Sequence, residues 1–434
     1  MTKYTIMSEN IAATKKFNFW YENNPELGFE RIKYLDKLMR FSGNRLIKVL
    51  VGQRRTGKSY ILKQTIKRLL ESGVQPENTI YINKEYLEFD FITDYRILSD
   101  FIEEYKQTLR PQGKIYIFVD EIQTIDGWER LVNSYSQNSA DEYELYISGS
   151  NSQLLAGELA TLLSGRYILF QIFPFSFDEF QEFQQIGVSK ESYLKYLQSG
   201  ALPELFHLTD IETKRYYVSA IKDTVLLRDI ITRYKIKDAG LLEDIFKFLV
   251  NNASNLISIS NIVNYYTSKG RKTNYETIST YISYIEQTFL IHKVERYTIK
   301  GKELLSGSYK YYANDPAYKN YLYAGVNYGI GSLLENVVYL QLLQEGFEVY
   351  TGAMRNREID FVAIKNDQKL YFQVAYVLSD ETTIEREYGV YKNIDDNYEK
   401  YVVTLDDVEL PIRNGIRHVQ AWKLSSILKQ FNVI

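Results

Sequence analysis

Hydrophobic residues in the first part of the chain form short continuous runs, and the segments between them carry apolar residues at helical spacing. The runs predict buried strands at residues 46–51, 79–83, 114–121, 144–148 and 167–173. After the first run, apolar residues from Ile61 to Leu70 recur every three or four positions, as on one face of a helix. This alternation of strands and helices predicts an α/β fold with a parallel sheet for residues 31–175, preceded by an N-terminal segment, residues 1–30.

The segment after the first strand, residues 52–59, matches the phosphate-binding pattern GxxxxGK[ST]. Gly52 and Gly57 allow the backbone to curl, so that N–H groups and the helix N-terminus point at phosphates. Lys58 adds a positive charge, and Ser59 adds a hydroxyl group for Mg²⁺. The strand, loop and helix together predict that the chain binds and hydrolyses ATP with Mg²⁺. The other candidate nucleotide contacts in this loop are Arg54, Arg55 and Thr56.

Two adjacent carboxylates end the third predicted strand. Asp120 is placed to hold Mg²⁺ through water, and Glu121 is a candidate general base that polarises the attacking water. About 60 residues separate the loop from this pair, which leaves room for one extra strand. That arrangement is typical of P-loop ATPases that carry a catalytic glutamate. Ser148 and Asn151, at the end of the fourth strand, are candidates to sense the γ-phosphate, although an ordinary turn explains them nearly as well.

Arg166 precedes the fifth predicted strand. Arginine stabilises the charge that develops during phosphoryl transfer, so Arg166 is a candidate catalytic contact in its own chain or in a neighbouring one. From residue chemistry alone, a surface arginine in a turn is an equally good interpretation.

These motifs also carry a resemblance to a known family. They read GQRRTGKS, VDEIQ, GWE, SGSNSQLL, SGRY and FPFSFDEF, beginning at residues 52, 119, 127, 148, 164 and 173. The chain resembles the uncharacterised bacterial and archaeal AAA-type ATPases with a C-terminal domain of unknown function, over nearly its whole length. The resemblance implies ATP binding and hydrolysis by residues 52–59, Asp120 and Glu121, and a phosphate-sensing role for Arg166. It also implies a C-terminal domain similar to PD-(D/E)xK nucleases, but it supplies no substrate.

The middle of the chain is predicted to contain two helical segments. Residues 176–235 have a helical pattern, which suggests a lid packed on the nucleotide. Residues 236–325 predict three helices followed by a hairpin, the arrangement of a winged helix. This second segment contains 11 lysine and arginine residues against 8 aspartate and glutamate residues, a net charge of +3. The basic excess is weak, so a module that couples to the ATPase by packing is favoured over one that contacts DNA.

Residues 326–434 predict a separate α/β domain, and the family resemblance implies that it is similar to restriction endonucleases. Its opening helix carries Glu335, and the following strand carries Glu358 and Asp360 on one face, because strand side chains alternate. A second strand, residues 369–374, is predicted to pair with the first across a short turn.

The chain departs from the nuclease pattern in this domain. PD-(D/E)xK nucleases need a helix carboxylate, an aspartate on the first strand and E-x-K on the second. Here the last motif reads Gln373-Val374-Ala375, so only Glu335 and Asp360 match. Residues 331–434 also carry a net charge of −5, whereas nucleases neutralise phosphate charge. The candidate replacements for the missing lysine are Arg386 and Lys392.

The amino-acid composition limits the kinds of catalytic and metal site that the chain can form. The chain has no cysteine and three histidines, which excludes thiolate nucleophiles and zinc sites built on cysteine. Residues 1–24 lack the apolar core of a signal peptide, and no run approaches the roughly 18 apolar residues of a membrane span. We therefore expect a cytoplasmic protein without membrane contact.

Two functions from different classes remain open. The first is an ATPase whose nucleotide cycle switches conformations and acts on an unidentified protein partner, with an inactive nuclease-like domain. The second is an ATP-dependent DNA-processing enzyme whose C-terminal domain is active and whose winged helix contacts DNA. The missing lysine and the acidic C-terminal domain favour the first.

Overall fold

In a computed structural model, the protein forms two compact units, Met1–Ile172 and Phe173–Ile434. The structure describes residues 9–138, 142–151, 163, 165–323, 329–354 and 357–432. No helix in these ranges is both long and apolar enough to cross a membrane.

The first unit alternates strands and helices as the hydrophobic pattern predicts. Its described helices are α1 (Glu9–Thr14), α2 (Ile32–Arg40), α3 (Lys58–Glu71), α4 (Tyr95–Leu109) and α5 (Trp128–Asn138). Its described strands are β1 (Ile47–Val51), β2 (Thr79–Asn83), β3 (Ile115–Asp120), β4 (Tyr143–Gly149) and β5 (Tyr167–Gln171).

These strands form one parallel sheet in the order β2-β3-β4-β1-β5. β2 lies in sequence between the phosphate loop and Asp120, as the spacing predicts, and β4 lies in space between β1 and β3. Lys48, the polar residue of β1, is buried and pairs with Glu144 on β4 at 2.6 Å, which allows a charge inside the sheet. The α/β fold with a parallel sheet of the P-loop ATPase type is therefore confirmed.

The second unit contains the remaining elements. Its described helices are α6 (Phe177–Gln184), α7 (Lys190–Ser199), α8 (Ile211–Thr224), α9 (Ala239–Asn251), α10 (Ile259–Ser268), α11 (Tyr275–Gln287), α12 (Ile330–Gln344), α13 (Glu381–Gly389) and α14 (Leu424–Leu428). Its described strands are β6 (Ile291–Thr298), β7 (Glu303–Ala313), β8 (Glu348–Met354), β9 (Arg357–Lys365), β10 (Gln368–Val374), β11 (Glu399–Thr404) and β12 (Ile416–Gln420).

One mixed sheet joins the two C-terminal segments that the sequence separates. Its order is β12-β11-β10-β9-β8-β6-β7. The β6–β7 hairpin follows α9, α10 and α11 as predicted, but β6 also pairs in parallel with β8. The β9–β10 hairpin has the predicted antiparallel register. Thus the predicted boundary at residue 325 cuts through a continuous sheet.

The helices predicted as a single lid, residues 176–235, are divided between two hydrophobic cores of the second unit. Phe177 and Tyr196, on α6 and α7, pack with Val338 on α12 and with the sheet. Val218, on α8, packs in the core formed by α9, α10 and α11. The apolar periodicity predicts the helices but does not reveal which core each one joins.

Candidate functional site

The phosphate loop connects β1 to α3 at the carboxyl edge of the first sheet. Gly52 has φ 152°, and a Cβ atom there would lie 2.2 Å from the backbone oxygen of Ile172, so no side chain fits. Gly57 precedes α3 with φ 93°, a conformation that favours glycine. The two glycines therefore have the geometric role that the motif predicts.

Lys58 points into the curl of this loop. Its Nζ donates to the carbonyl oxygens of Gly52 and Gln53, both at 2.9 Å. Burial lowers the pKa of the Lys58 ammonium, while Glu121 and Asp120 oppose that shift. A buried cation that contacts backbone carbonyls and has carboxylates nearby fits an anionic ligand such as a triphosphate.

Asp120 ends β3 beside the loop and is completely buried. Its carboxylate accepts hydrogen bonds from Tyr81 at 2.9 Å and Asn83 at 3.1 Å, and also from the hydroxyl groups of Ser59 and Ser148. Burial, and then the adjacent Glu121, raises the pKa of Asp120. Ser59 and Asp120 are thus together, as a shared Mg²⁺ site requires.

Glu121 follows in a left-handed conformation with φ 55°. Its Oε2 accepts hydrogen bonds from Gln123 at 2.5 Å and Ser150 at 3.0 Å. Burial alone would raise the pKa of Glu121, but the cations Lys58 and Arg54 lower it below the ordinary value. The carboxylate is therefore ionised at neutral pH, as a general base must be.

The polar residues at the end of β4 and directly after it contact different carboxylates of the site. Ser148, within β4, hydrogen-bonds to Asp120, and Ser150, directly after β4, hydrogen-bonds to Glu121. Asn151, the predicted nucleotide contact, is buried two residues after β4. These three residues lie at the same sheet edge as the phosphate loop, since Val51 pairs with Gly149.

Other loop residues differ in their surroundings. Arg54 is partly buried and pairs with Glu85 at 2.5 Å, whereas Arg55 is exposed with φ 67°. Thr56 is buried, and its carbonyl oxygen accepts from Nη1 of Arg31 at 2.8 Å. Sequence reasoning missed Arg31, because it lies 25 residues upstream and belongs to no motif.

Arg166 lies at the amino-terminal ends of the strands, whereas the phosphate loop lies at their carboxyl ends. It directly precedes Tyr167, which pairs with Ile47 at the start of β1, whereas the phosphate loop follows Val51 at the end of β1. About 13 Å of strand separates Ile47 from Val51. Arg166 therefore lies about one strand length from the phosphate loop of its own chain. Within the chain, Nη1 of Arg166 lies 3.5 Å from Oδ1 of Asn133.

A second charged cluster lies in the second unit. Nζ of Lys310, on β7, is 2.9 Å from Glu335, 2.9 Å from Glu358 and 3.1 Å from Asp360. The lysine side chain is only 4% exposed. Burial alone would lower the pKa of Lys310, but the three carboxylates raise it. Glu335 also accepts from the Tyr312 hydroxyl at 2.7 Å, so the cluster joins β7, α12 and β9.

The structure shows that neither candidate replacement for the missing nuclease lysine lies in this cluster. Arg386 pairs with its neighbour Glu387 and is largely exposed, and Lys392 lines a separate groove. Lys310 reaches the carboxylates instead. Gln373 accepts from the backbone N–H of Asp360 at 3.3 Å and donates to Glu387 at 2.9 Å. Ala375 follows β10 in the apolar core. Neither Arg386 nor Lys392 therefore replaces the missing lysine.

Two family models match the chain. Residues 44–181 match an AAA domain, and residues 190–328 match a domain of unknown function.

Two relatives match most of the chain in sequence. An uncharacterized protein of Haemophilus influenzae is 36% identical over 402 residues, which cover 91% of this chain and 98% of that protein. An uncharacterized protein of Methanocaldococcus jannaschii is 30% identical over 416 residues, which cover 87% of this chain and 88% of that protein.

Solved structures resemble the chain more distantly. The Walker-type ATPase PABY2304 of Pyrococcus abyssi is similar with a TM-score of 0.46 and 17% identity, over 69% of this chain and 98% of that one. AMPPCP-bound DnaA from Aquifex aeolicus has a TM-score of 0.30 and 14% identity, over 65% and 93% of the two chains.

Proposed function

Since the chain belongs to the family of AAA-domain proteins represented by these Haemophilus influenzae and Methanocaldococcus jannaschii relatives, we propose that it binds ATP with Mg²⁺ and hydrolyses it. One observation carries the proposal. Lys58, Asp120 and Glu121 converge at the carboxyl ends of one parallel sheet, beside a loop whose two glycines have backbone positions that other residues do not fit.

Each residue has a distinct task in this proposal. The loop backbone and Lys58 bind the β- and γ-phosphates, with Arg54, Arg55 and Thr56 along the same loop. Ser59 and Asp120 hold Mg²⁺, which neutralises phosphate charge when it is bound. The hydrogen bonds of Tyr81 and Asn83 orient the Asp120 carboxylate.

Glu121 accepts a proton from the attacking water as the water adds to the γ-phosphorus, while the bond from this phosphorus to the β–γ bridging oxygen breaks and ADP leaves. The hydrogen bonds from Gln123 and Ser150 orient its carboxylate. Oε1 of Gln123 is buried without a hydrogen-bond partner among the described residues, so it is available to accept from that water. Asn151 contacts the γ-phosphate from the adjacent strand end.

The position of Arg166 supports hydrolysis between neighbouring copies of the chain. Because its own phosphate loop is at the other edge of the sheet, Arg166 serves the site of a second copy, where it stabilises transition-state charge. An assembly of at least two chains is therefore part of the proposal.

For the second unit, we propose a winged-helix module and a nuclease-like domain that share a sheet and do not cut nucleic acid. The Ile257–Tyr309 bridge, which connects the loop before α10 to β7, supports the winged helix. Direct pairing of Lys310 with three carboxylates supports inactivity, since the ammonium neutralises the groups that would hold a metal. The ATP cycle then switches this unit between conformations that act on a protein partner.

The same cluster supports a second candidate function, ATP-dependent processing of DNA. A lysine beside Glu335 and Asp360 restores a group that the local sequence lacks. We favour the inactive form because Lys310 contacts all three carboxylates directly, so its ammonium group takes the central position among the groups that would bind a cation.

The test of the proposed function is ATP turnover by the full chain with Mg²⁺. Lys58→Ala should abolish nucleotide binding or turnover, because the phosphates lose their nearest cation. Lys67→Ala is the matched control, since Lys67 is an exposed lysine on the same helix. Normal turnover by the Lys58 variant would contradict the assignment.

A further inference from the structure

A continuous groove crosses the helical part of the second unit. Two cavities of about 640 and 570 Å³ share Asp244 and Lys247 in their walls. The first extends toward Tyr265 and Lys269, at the end of α10, and the second extends toward Arg215 on α8. We call the combined depression the 215–271 groove.

Positive charge in the 215–271 groove exceeds what its own carboxylates neutralise. Lys222 pairs with Glu243 at 2.5 Å, and Arg271 pairs with Asp244. These contacts satisfy both acidic side chains of the groove wall.

Three more cations line the same groove. In the described part of the chain, Arg215, Lys247 and Lys269 form no ion pair. All three are exposed. Unpaired cations along a concave surface attract a polyanion, although the net charge of the whole chain is −3.

Aromatic rings lie beside these cations. Tyr265 is 39% exposed and packs against Phe248 and Tyr266, with ring centroids 5.3 and 5.1 Å away. Nζ of Lys269 lies 4.3 Å from the Tyr265 ring centroid. Tyr216, next to Arg215, is 69% exposed. Rings that are supported on one side and open on the other are platforms on which nucleobases stack.

We propose that the 215–271 groove binds a single-stranded nucleic acid. The cations contact its phosphates, and the exposed tyrosines stack on its bases. A concave groove admits an unpaired strand, whereas reading a duplex requires a helix or a ribbon that protrudes into the DNA groove. This binding goes beyond the proposed ATPase and does not depend on hydrolysis.

The expected salt dependence follows from the number of unpaired cations. Three phosphate contacts on a single strand give a slope of log K against log salt of about −2, at roughly −0.7 per contact. Removing one cation should reduce the magnitude of the slope by about 0.7. Loss of a stacking ring weakens binding about 5- to 150-fold.

We would measure fluorescence anisotropy of labelled oligothymidine and oligouridine of about 20 nucleotides, from about 50 to 200 mM salt. The full chain is titrated without ATP, beside a duplex of equal length and a polyglutamate peptide. The variants are Lys247→Ala, Tyr265→Ala and the triple alanine variant of Arg215, Lys247 and Lys269. Lys300→Ala is the control, because Lys300 is an exposed lysine outside the groove. Circular dichroism confirms that each variant is folded.

Binding of either single strand with the expected slope, unchanged in the control and at least tenfold weaker in the triple variant, supports the groove. Tighter binding of the duplex, or equal affinity of the folded triple variant, overturns it. Preference for polyglutamate over both oligonucleotides also overturns it and assigns the groove to an acidic protein partner. Because ATP is absent, failure here leaves the ATPase proposal intact, and an inactive ATPase site does not affect this result.

Discussion

Lys310→Met tests the charged cluster of the second unit most severely. Methionine keeps much of the length and apolar surface of lysine but removes the cation that lies within 3.1 Å of Glu335, Glu358 and Asp360. Each contact is worth up to about 6 kcal/mol at an effective dielectric constant of 20, before the cost of burying the charges is subtracted. Breaking a buried pair by removing one partner costs about 3–5 kcal/mol, which is the destabilisation we expect.

Differential scanning calorimetry of the full chain measures this effect. A loss of that size lowers Tm by roughly 10 °C for a unit of more than 200 residues. Lys300→Met, on the loop of the same hairpin, should shift Tm by little. Adding Asp360→Asn to Lys310→Met should recover part of the loss, because one of the three uncompensated carboxylates is removed.

The pH dependence gives the same experiment a second readout. Burial and the nearby Asp360 raise the pKa of Glu335 above its ordinary value, and Lys310 opposes that shift. Loss of the Lys310 charge should raise the pKa values of the three carboxyl groups further in the folded protein. Ionising these groups then costs more folding free energy, so the destabilisation should be larger at pH 8 than at pH 5. A Tm for Lys310→Met equal to that of the Lys300 control at both pH values would refute the view that Lys310 neutralises this cluster.

Three further predictions concern other sites. Arg166→Ala should lower kcat with little change in nucleotide affinity, and mixing it with Lys58→Ala should restore some activity if Arg166 acts in a neighbouring copy; equal loss of both parameters would indicate a ground-state contact. Burial raises the pKa of Glu286 in the folded protein to about 7, so the stability of the parent falls as pH rises from about 4.5 to 7. Glu286→Gln should therefore stabilise the protein by about 3 kcal/mol at pH 8 and by little at pH 5, as measured by urea unfolding. Equal stability of the variant and the parent at pH 8 would contradict the raised pKa. Linear, nicked and branched DNA and RNA should remain uncut with Mg²⁺ or Mn²⁺, and cleavage that disappears in Asp360→Ala would establish the DNA-processing alternative.

The phosphate site was accessible to sequence reasoning because its groups lie in short motifs at strand ends. Parallel strands bring their carboxyl ends to one edge, so a loop after β1 and carboxylates after β3 must meet there. The pattern could not reveal Arg31 or the contact of Ser150 with Glu121, since these contacts depend on the packing of segments far apart in sequence. It also could not show that Arg166 lies at the other end of β1 from the phosphate loop, because that follows from strand direction and register.

In the C-terminal half, sequence patterns predicted the local elements but not the contacts between distant segments. Periodicity predicted the three helices and the β9–β10 hairpin, because these are local features. Lys310 was missed because it lies 50 residues before Asp360, on a hairpin that the sequence assigned to another domain. Pairing of β6 with β8 is a long-range contact, so the local sequence pattern cannot predict that the two segments share a sheet. Each missed residue acts through tertiary contacts that no motif records.

The central claim is that Glu121 is the base of an ATP-hydrolysing site, and Glu121→Gln tests it most directly. Glutamine preserves the shape and the contact with Ser150 but cannot accept a proton. ATP affinity, measured by calorimetric titration with Mg²⁺, should stay within a few-fold of the parent, while single-turnover hydrolysis should fall by about 100-fold or more. A variant that binds ATP and hydrolyses it at the parental rate would contradict the account.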